Sequence, residues 1–211
     1  MKIELDTIRP ESYTEDWSGQ YDVFSFLEFT VGVPSPMFLI TTRKENGQPN
    51  ACFQAWSSFA GDSGGFFAVM QGLMQSTHTY QNILREKEFC LNFIRPEYYD
   101  SCIKTVAVND EEEDEIASGG FTAEACITIK SPRIKESFLC MECTLESVTD
   151  LSGKGQTVMI VGRVQHAAVE EGHNTIENIC SPNAFMYNIH SPKDPYTGIG
   201  NTSAVGILKP V

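Results

Sequence analysis

The sequence has few positive charges for its length. Among its 211 residues, 15 lysines and arginines stand against 28 aspartates and glutamates, and the formal net charge at pH 7 is -13. Proteins that bind nucleic acids present a clustered basic face to the phosphate backbone, and anionic membrane surfaces attract basic clusters in the same way. We therefore expect no nucleic-acid partner and no membrane partner.

Long hydrophobic segments are also missing. Apolar runs such as Met37–Ile40 are far too short to span a bilayer, and the first residues carry charges without the apolar core of a secretory signal. The seven cysteines are odd in number and scattered along the chain, which fits reduced thiols better than a disulfide framework. These features predict a soluble, cytoplasmic protein.

Several motifs of well-known enzyme classes are absent as well. The sequence contains no H-E-x-x-H, no P-loop and no G-x-G-x-x-G, so zinc-protease, nucleotide-hydrolase and dinucleotide-fold functions lack their sequence support. His166, His173 and His190 are isolated in sequence, and we expect them at the surface or in hydrogen bonds rather than in catalysis. No residue is therefore predicted to be catalytic.

Strand signals dominate what is present. The clearest is a hairpin in which the segments 37–42 and 51–59 flank Asn46-Gly47, a pair that supplies the positive φ angles of a tight turn. Residues rich in β-branched and aromatic side chains, bounded by turn formers, predict further strands. These strands are expected at 66–71, 89–95, 125–130, 138–149 and 157–169.

Helices are fewer, with the strongest amphipathic spacing at 77–87 and shorter candidates at 96–106 and 174–180. Six or more strands with a few short helices predict a mainly β protein built as a closed or nearly closed antiparallel barrel. The length does not require a second domain, so we predict one domain over residues 1–211. The segment 184–198 is expected to wrap over this barrel, although it could also cover a ligand or contact a second subunit.

Two patterns that resemble metal or redox sites are interpreted otherwise. Cys140 and Cys143 spell C-x-x-C within a predicted strand, where an odd separation directs the two side chains to opposite faces. The acidic run 109–115 has no spaced glycines or other ligand types, so it is expected to be a solvated loop or helix start. No metal site is predicted.

The most informative local feature is a hydroxyl-rich segment that leads into the helix at 77–87. Ser76 and Thr77 precede the first turn, while Thr79 and Asn82 lie three residues apart on one helix face. A helix N-terminus presents unpaired N–H groups and partial positive charge, so such a segment can hold a phosphate. The alternative is simple capping, in which Ser76 or Thr77 satisfies the helix alone.

The order of these signals resembles a known family. The hairpin containing Thr41-Thr42 and residues 47–58, followed by the hydroxyl segment and the helix, is similar to the flavin reductase-like family, which includes flavoredoxin. Phe89-Cys90-Leu91-Asn92 looks like the family's Phe-x-x-Asn strand, and the segments 131–136 and 159–164 resemble its later barrel signals. The resemblance covers roughly residues 30 to 170.

The resemblance implies an FMN-binding split β-barrel that is typically a homodimer and either oxidises NADH or NADPH or relays electrons to a partner. A barrel that has lost its flavin and serves in protein interaction is the third alternative. The family's phosphate motif carries a basic residue and an aspartate where this chain has Thr77 and His78, so His78 or Arg85 would supply the positive charge. The implied cofactor-binding residues are Asn50, Phe53, Gln54, Ala55, Trp56, Ser57, Ser76, Thr77, His78, Thr79 and Asn82.

Overall fold

The structure, a computed structural model, describes residues 2–209 and contains twelve strands and six α-helices. The strands are β1 Ser35–Pro36, β2 Phe38–Arg43, β3 Pro49–Gln54, β4 Ser57–Asp62, β5 Gly65–Met74, β6 Glu88–Phe93, β7 Ala123–Glu124, β8 Arg133–Ile134, β9 Leu139–Thr149, β10 Thr157–Val169, β11 Met186–Ile189 and β12 Ala204–Ile207. The helices are α1 Gln20–Val23, α2 Phe26–Val31, α3 His78–Glu86, α4 Tyr99–Lys104, α5 Glu115–Ser118 and α6 Ile176–Ile179, with a 3-10 turn at Pro96–Tyr98.

Seven strands form the main antiparallel sheet in the order β3-β2-β6-β9-β10-β5-β4. A second sheet, β1-β11-β12, and the pair β7-β8 flank it. Strand residues make up 36% of the described residues and helical residues 17%, which confirms the prediction of a mainly β protein. Within residues 2–209, no helix is both long enough and apolar enough to cross a bilayer.

The predicted helix at 77–87 is confirmed as α3 with a cap at each end. The Thr77 side chain accepts a hydrogen bond from the Tyr80 backbone N–H, which stabilises the first turn. Lys87 ends the helix in the left-handed conformation at φ 60°. The predicted strands at 138–149 and 157–169 are also present, because their alternating side chains match the two faces of the sheet.

The single strand predicted over 51–59 is wrong, because the chain breaks into β3 and β4 at Ala55 and Trp56. Trp56 has a φ of 53°, a conformation that non-glycine residues seldom adopt. Its backbone N–H leaves the ladder and donates to the Ser35 hydroxyl at 2.9 Å. The break turns β4 away from β3 and carries the chain to the opposite edge of the main sheet.

The strand predicted over 125–130 is also wrong, since that segment is irregular. Carboxylates from two strands take its backbone N–H groups in place of a neighbouring strand. Glu142 accepts from Ile127 and Thr128, and Glu88 accepts from the Lys130 N–H at 2.6 Å. The segment therefore lies across the sheet face as a loop held by side chains.

The core lies on one face of the main sheet and is rich in aromatic residues. Phe38, Phe89 and Phe138 are fully buried within it, and Gly162 of β10 leaves the space that the Phe89 ring fills. Alternate residues of β9 point into this core, whereas Cys140 points to the opposite face. The predicted separation of Cys140 from Cys143 is therefore correct.

The terminal segments add elements that the sequence patterns did not reveal. Helices α1 and α2 pack through the aromatic rings of Tyr13, Tyr21 and Phe29. Strand β11 pairs with β1 and with β12, and Phe185 contacts the rings of Phe93 and Phe138. In this chain the C-terminal segment wraps over the end of the core.

Candidate functional site

The first hairpin and the hydroxyl-rich segment meet at a cavity of about 230 Å³. One wall is strand β3, another is the N-terminus of α3, and the third is the chain that follows α4. Side chains that line it include those of Asn50, Cys52, Ser76, Thr77, Thr79 and Glu115. The tertiary structure thus brings four of the sequence-predicted residues, Asn50, Ser76, Thr77 and Thr79, to one place.

Thr79 is the buried centre of this cavity wall. Its hydroxyl oxygen accepts a hydrogen bond from the Asn50 amide at 3.0 Å, and both residues are at most 3% exposed. A hydroxyl has one donor and two acceptor positions, so Thr79 retains hydrogen-bonding capacity. Burial raises the pKa of the neighbouring Cys52 thiol to about 11, which keeps Cys52 protonated at neutral pH and unsuited to act as a nucleophile.

Asn82, the other predicted phosphate-binding residue, does not line this cavity. Its amide nitrogen donates to the Thr42 hydroxyl at 3.0 Å, and its amide oxygen accepts from Arg85 at 2.9 Å. Arg85 also pairs with Glu86 at 2.8 Å. These contacts fix α3 to strand β2, so Asn82 and Arg85 hold the helix in position without lining the cavity.

The acidic run contributes a buried residue, and its interpretation as a solvated segment is wrong at Glu115. Lys44, in the hairpin turn, is 2% exposed and places its ammonium group 2.9 Å from Glu115 Oε1. The same ammonium donates to the backbone oxygens of Asp110 and Glu113, each at 2.6 Å. Lys44 therefore holds the acidic segment 109–115 in place as part of the cavity wall.

Glu115 presents an unused acceptor at the cavity wall. Its Oε2 atom is buried and has no hydrogen-bond partner among residues 2–209. Burial raises the pKa of this carboxyl group, and the hydrogen bond from Lys44 opposes the increase. A buried oxygen without a partner is costly, so a donor group that entered the cavity would be stabilised there.

His78 faces the acidic run rather than the cavity. Its Nε2 atom lies 3.5 Å from a carboxylate oxygen of Glu111, and its buried Nδ1 has no partner in the described part of the chain. The Asn46 amide donates to the Glu111 backbone oxygen at 2.9 Å and ties the hairpin turn to the same segment. His78 is therefore close to the helix N-terminus but outside the cavity wall.

The residues that were expected to border a flavin ring do not lie together around one cavity. Phe53 packs on Tyr99 with ring centroids 6.0 Å apart, and Ala55 is buried. The Gln54 amide donates to the Gln71 backbone oxygen at 3.0 Å, and the Ser57 hydroxyl donates to the Ala55 oxygen at 3.1 Å. None of these four residues lines the 230 Å³ cavity.

Trp56 lines a second cleft of about 270 Å³ together with Phe24, Leu151 and Met159. The Trp56 ring packs against Phe24 and His190, with ring centroids 5.4 and 5.0 Å away. The left-handed backbone at Trp56 directs the ring to this side. Trp56 is therefore separated from the cavity that contains Thr79.

Two of the three histidines that were expected at the surface or in hydrogen bonds are instead packed against aromatic rings. His190 lies among Phe24, Phe29 and Trp56, and its Nδ1 is buried without a partner within residues 2–209. His173 is 7% exposed and packs on Phe138. Burial lowers the pKa of both imidazoles, which favours their neutral forms.

The segment Gly61–Gly65 has the G-x-S-x-G spacing of a hydrolase nucleophile. A nucleophile elbow requires a sharp turn from a strand into a helix. Here Ser63 is exposed at the tip of the hairpin between β4 and β5. The motif therefore serves as a glycine-rich hairpin turn, not as a catalytic elbow.

Neither a metal site nor a disulfide is present in the described residues. Across 2–209, no cluster of three His, Cys, Asp or Glu side chains has the arrangement of a metal site. The seven cysteines, all within this range, are unpaired thiols.

Solved structures share this architecture. A protein assigned as a flavin reductase with a split barrel domain from Shewanella frigidimarina NCIMB 400 superposes with a TM-score of 0.70 at 16% identity, covering 94% of this chain and 98% of that chain. For nitrilotriacetate monooxygenase component B from Bacillus cereus, the TM-score is 0.69 at 20% identity, with coverage of 83% and 86%. An FMN-binding protein from Thermus thermophilus, with bound 1-cyclohex-2-enone, gives 0.65 at 16% identity, with coverage of 97% and 99%. The fold is that of the split-barrel class.

The sequence comparison identifies the family within this class. The profile described as "Flavin reductase like domain" matches residues 30–188, which is most of the chain. This protein belongs to the flavin reductase-like domain family. A further 67-residue match, 34% identical, is to an uncharacterized protein of Aquifex aeolicus (strain VF5) and spans 32% of this chain and 34% of that protein.

Proposed function

We propose that this protein binds FMN at the Thr79 cavity and acts as a flavin-dependent oxidoreductase that accepts hydride from NADH or NADPH. Membership of the flavin reductase-like family supports a flavin as the cofactor. The names of two structural neighbours, flavoredoxin of Desulfovibrio vulgaris (Miyazaki F) and the FMN-binding protein from Thermus thermophilus, favour FMN among the flavins. Family membership also leads us to propose a homodimer.

The observation that carries this proposal is the group of hydroxyl, amide and carboxylate side chains in the cavity wall. Ser76, Thr77 and Thr79 supply hydroxyl groups, and Asn50 fixes the orientation of the Thr79 hydroxyl. The buried Glu115 Oε2 without a partner fits a hydroxyl donor, and the ribityl chain of a flavin carries several such groups. The residues that line the cavity thus fit the polar arm of FMN.

The phosphate would lie at the N-terminus of α3, where the first N–H groups have no partner within the helix. Among the described residues that line the cavity there is no lysine or arginine. The phosphate contribution to affinity would then come from helix N–H groups and hydroxyls, which are weaker than a direct cation contact. We expect the affinity for FMN to exceed that for riboflavin only modestly.

When bound, FMN would supply the electron transfer chemistry, and the protein would supply position and control of solvent access. Thr79, Ser76 and Glu115 would bind and orient the polar arm. The Lys44 ion pair would hold the segment 109–115 as a wall of the cavity and exclude water from it. Cys52 remains a protonated thiol in this wall and takes no proton from the substrate.

The test is an absorbance spectrum of the purified protein after incubation with excess FMN and desalting, followed by anaerobic NADH or NADPH. Retained flavin that bleaches with either nucleotide supports the oxidoreductase function. Retained flavin that bleaches only with dithionite supports an electron-relay module instead of an NAD(P)H-dependent oxidoreductase. Protein that binds no FMN in an equilibrium fluorescence titration refutes the proposal.

A second candidate is a barrel that functions in protein interaction without flavin. The observation that favours it is the internal pairing of the expected phosphate residues, because Thr79 bonds to Asn50 and Asn82 bonds to Thr42 and Arg85. Thr79 and Asn82 therefore each have hydrogen-bond partners within the protein, without any ligand. The same FMN titration distinguishes the two candidates.

A further inference from the structure

Three thiols meet on the face of the main sheet that lies opposite the aromatic core. Cys90 of β6 and Cys140 of β9 are buried there, and Cys126 packs against them from the loop that precedes β8. The sulfur atoms of Cys90 and Cys140 lie 3.9 and 3.5 Å from the same Asn92 amide oxygen. The Cys126 and Cys140 thiols both neighbour the Cys90 thiol.

The loop is fixed in this position by a buried carboxylate. Glu142 is directly opposite Cys90 in the β6–β9 ladder and is fully buried. It accepts hydrogen bonds from the backbone N–H groups of Ile127 at 2.9 Å and Thr128 at 2.6 Å, and from the Thr128 hydroxyl at 2.6 Å. Because these donors follow Cys126 immediately, the Cys126 side chain is held over Cys90.

The three thiols differ in their access to solvent. Cys90 and Cys140 are 0% and 3% exposed, whereas Cys126 is half-buried and lines an open cavity of about 620 Å³. Arg43 and Lys130 line the same cavity. A small oxidant that enters this cavity therefore reaches Cys126 first.

We propose that Cys126 is a site of oxidation by hydroperoxides and that Cys90 is its resolving thiol. The Cys126 thiolate attacks one oxygen of hydrogen peroxide, the O–O bond breaks, and hydroxide leaves as a sulfenic acid forms. The Cys90 sulfur then attacks the Cys126 sulfur, so that the S–S bond forms, the S–O bond breaks, and water leaves with the thiol proton. Two thiols lose two electrons, and one peroxide gains them.

Cys90 is the resolving thiol because it is the buried sulfur beneath the loop and needs no rearrangement of the sheet. Cys140 is diagonal to Cys90 across the ladder, where β6 and β9 hold the two Cα atoms in register. Cys126 lies on the loop that packs against Cys90. The disulfide would join the loop to β6 and fix one wall of the 620 Å³ cavity.

The experiment treats the folded protein, in a C180S background that removes the exposed thiol, with graded hydrogen peroxide. The remaining thiols are then alkylated in denaturant, and the peptides are mapped by mass spectrometry. We expect a Cys90–Cys126 linked peptide that dithiothreitol reverses and that the C126S variant lacks. The C140S variant should form the same linkage in the same yield.

Three outcomes would overturn the proposal. One is Cys126 that proceeds to sulfinic acid without any linked partner. Another is a linkage between Cys90 and Cys140, and the third is loss of the Cys90–Cys126 linkage in C140S. The apoprotein and the FMN-incubated protein are compared at the same peroxide concentration, and we expect the same linkage in both.

Discussion

Replacement of Lys44 by methionine should cause a large loss of stability, because it leaves the buried Glu115 carboxylate without its cation. Lys44 and Glu115 are 2% and 3% exposed, and the ammonium group also satisfies the backbone oxygens of Asp110 and Glu113. Methionine fills a similar volume, so the change removes charge and donors with little change in packing. Removing one partner of a buried ion pair costs about 3–5 kcal/mol.

The assays are urea unfolding and thermal unfolding at pH 7.5, each followed by tryptophan fluorescence and circular dichroism. For a domain of this size, about 1 kcal/mol corresponds to a shift of about 2–4 °C in Tm, so K44M should melt about 6–20 °C below the wild type. Lys154→Met is the matched control, because Lys154 is exposed in the loop between β9 and β10. The control should stay within about 0.5 kcal/mol of the wild type.

The double variant K44M/E115L adds a second test of the same reasoning. It removes the unpaired carboxylate and should recover part of the stability, although the backbone oxygens of Asp110 and Glu113 remain without their donor. In K44M alone, the pKa of Glu115 should rise further because the opposing cation is gone. The loss of stability of K44M relative to the wild type should therefore be smaller at acidic pH, where the Glu115 carboxyl group is protonated. A K44M stability equal to that of K154M would refute the buried-pair argument.

Three further predictions concern the cavity, the core and the aromatic cluster. E115Q and T79V should each weaken FMN and riboflavin binding by about 1–3 kcal/mol in a fluorescence titration, because each alters one buried hydrogen-bonding group. Lumiflavin lacks the ribityl chain, so its affinity for these two variants should equal its affinity for the wild type. Equal losses of affinity for all three flavins would contradict a ribityl site. G162A should lower the unfolding free energy by about 1–3 kcal/mol in urea, because the added Cβ overlaps the Phe89 ring, and an unchanged midpoint would contradict this packing. Burial lowers the pKa of His190 below 6.5, so the unfolded state takes up its proton first and the wild type loses stability as pH falls below 6.5. Between pH 7.5 and 5.5, H190F should lose less unfolding free energy than the wild type. An identical pH dependence of the two proteins would exclude His190 as the cause.

Local signals predicted the elements whose stability is local. The helix α3 was predicted at 77–87 because capping and amphipathic spacing depend on residues that are close in sequence. The β2–β3 hairpin followed from Asn46-Gly47, where Gly47 has a φ of 87°. Strands β9 and β10 followed from alternation over their length. In each case the decisive contacts lie within a few residues or along one strand.

The wrong predictions arose where distant side chains replace local partners. The segment 125–130 has the composition of a strand, but Glu88 and Glu142 take its N–H groups. The strand over 51–59 breaks where the Ser35 hydroxyl accepts the Trp56 N–H. No pattern within either segment identifies these acceptors, because they are at least 14 residues away in sequence.

The sequence by itself determined the β-rich class, the capped helix and the set of hydroxyl groups at its N-terminus, since these depend on side-chain periodicity and on short-range hydrogen bonds. Only the tertiary structure decided which of these groups share a cavity. It joined Asn50 to Thr79, turned Asn82 and Trp56 away, and added Glu115 from an acidic run that was expected to be solvated. The reason is physical: Lys44 and Glu115 are 71 positions apart, and burial in the folded chain is what makes their pairing necessary.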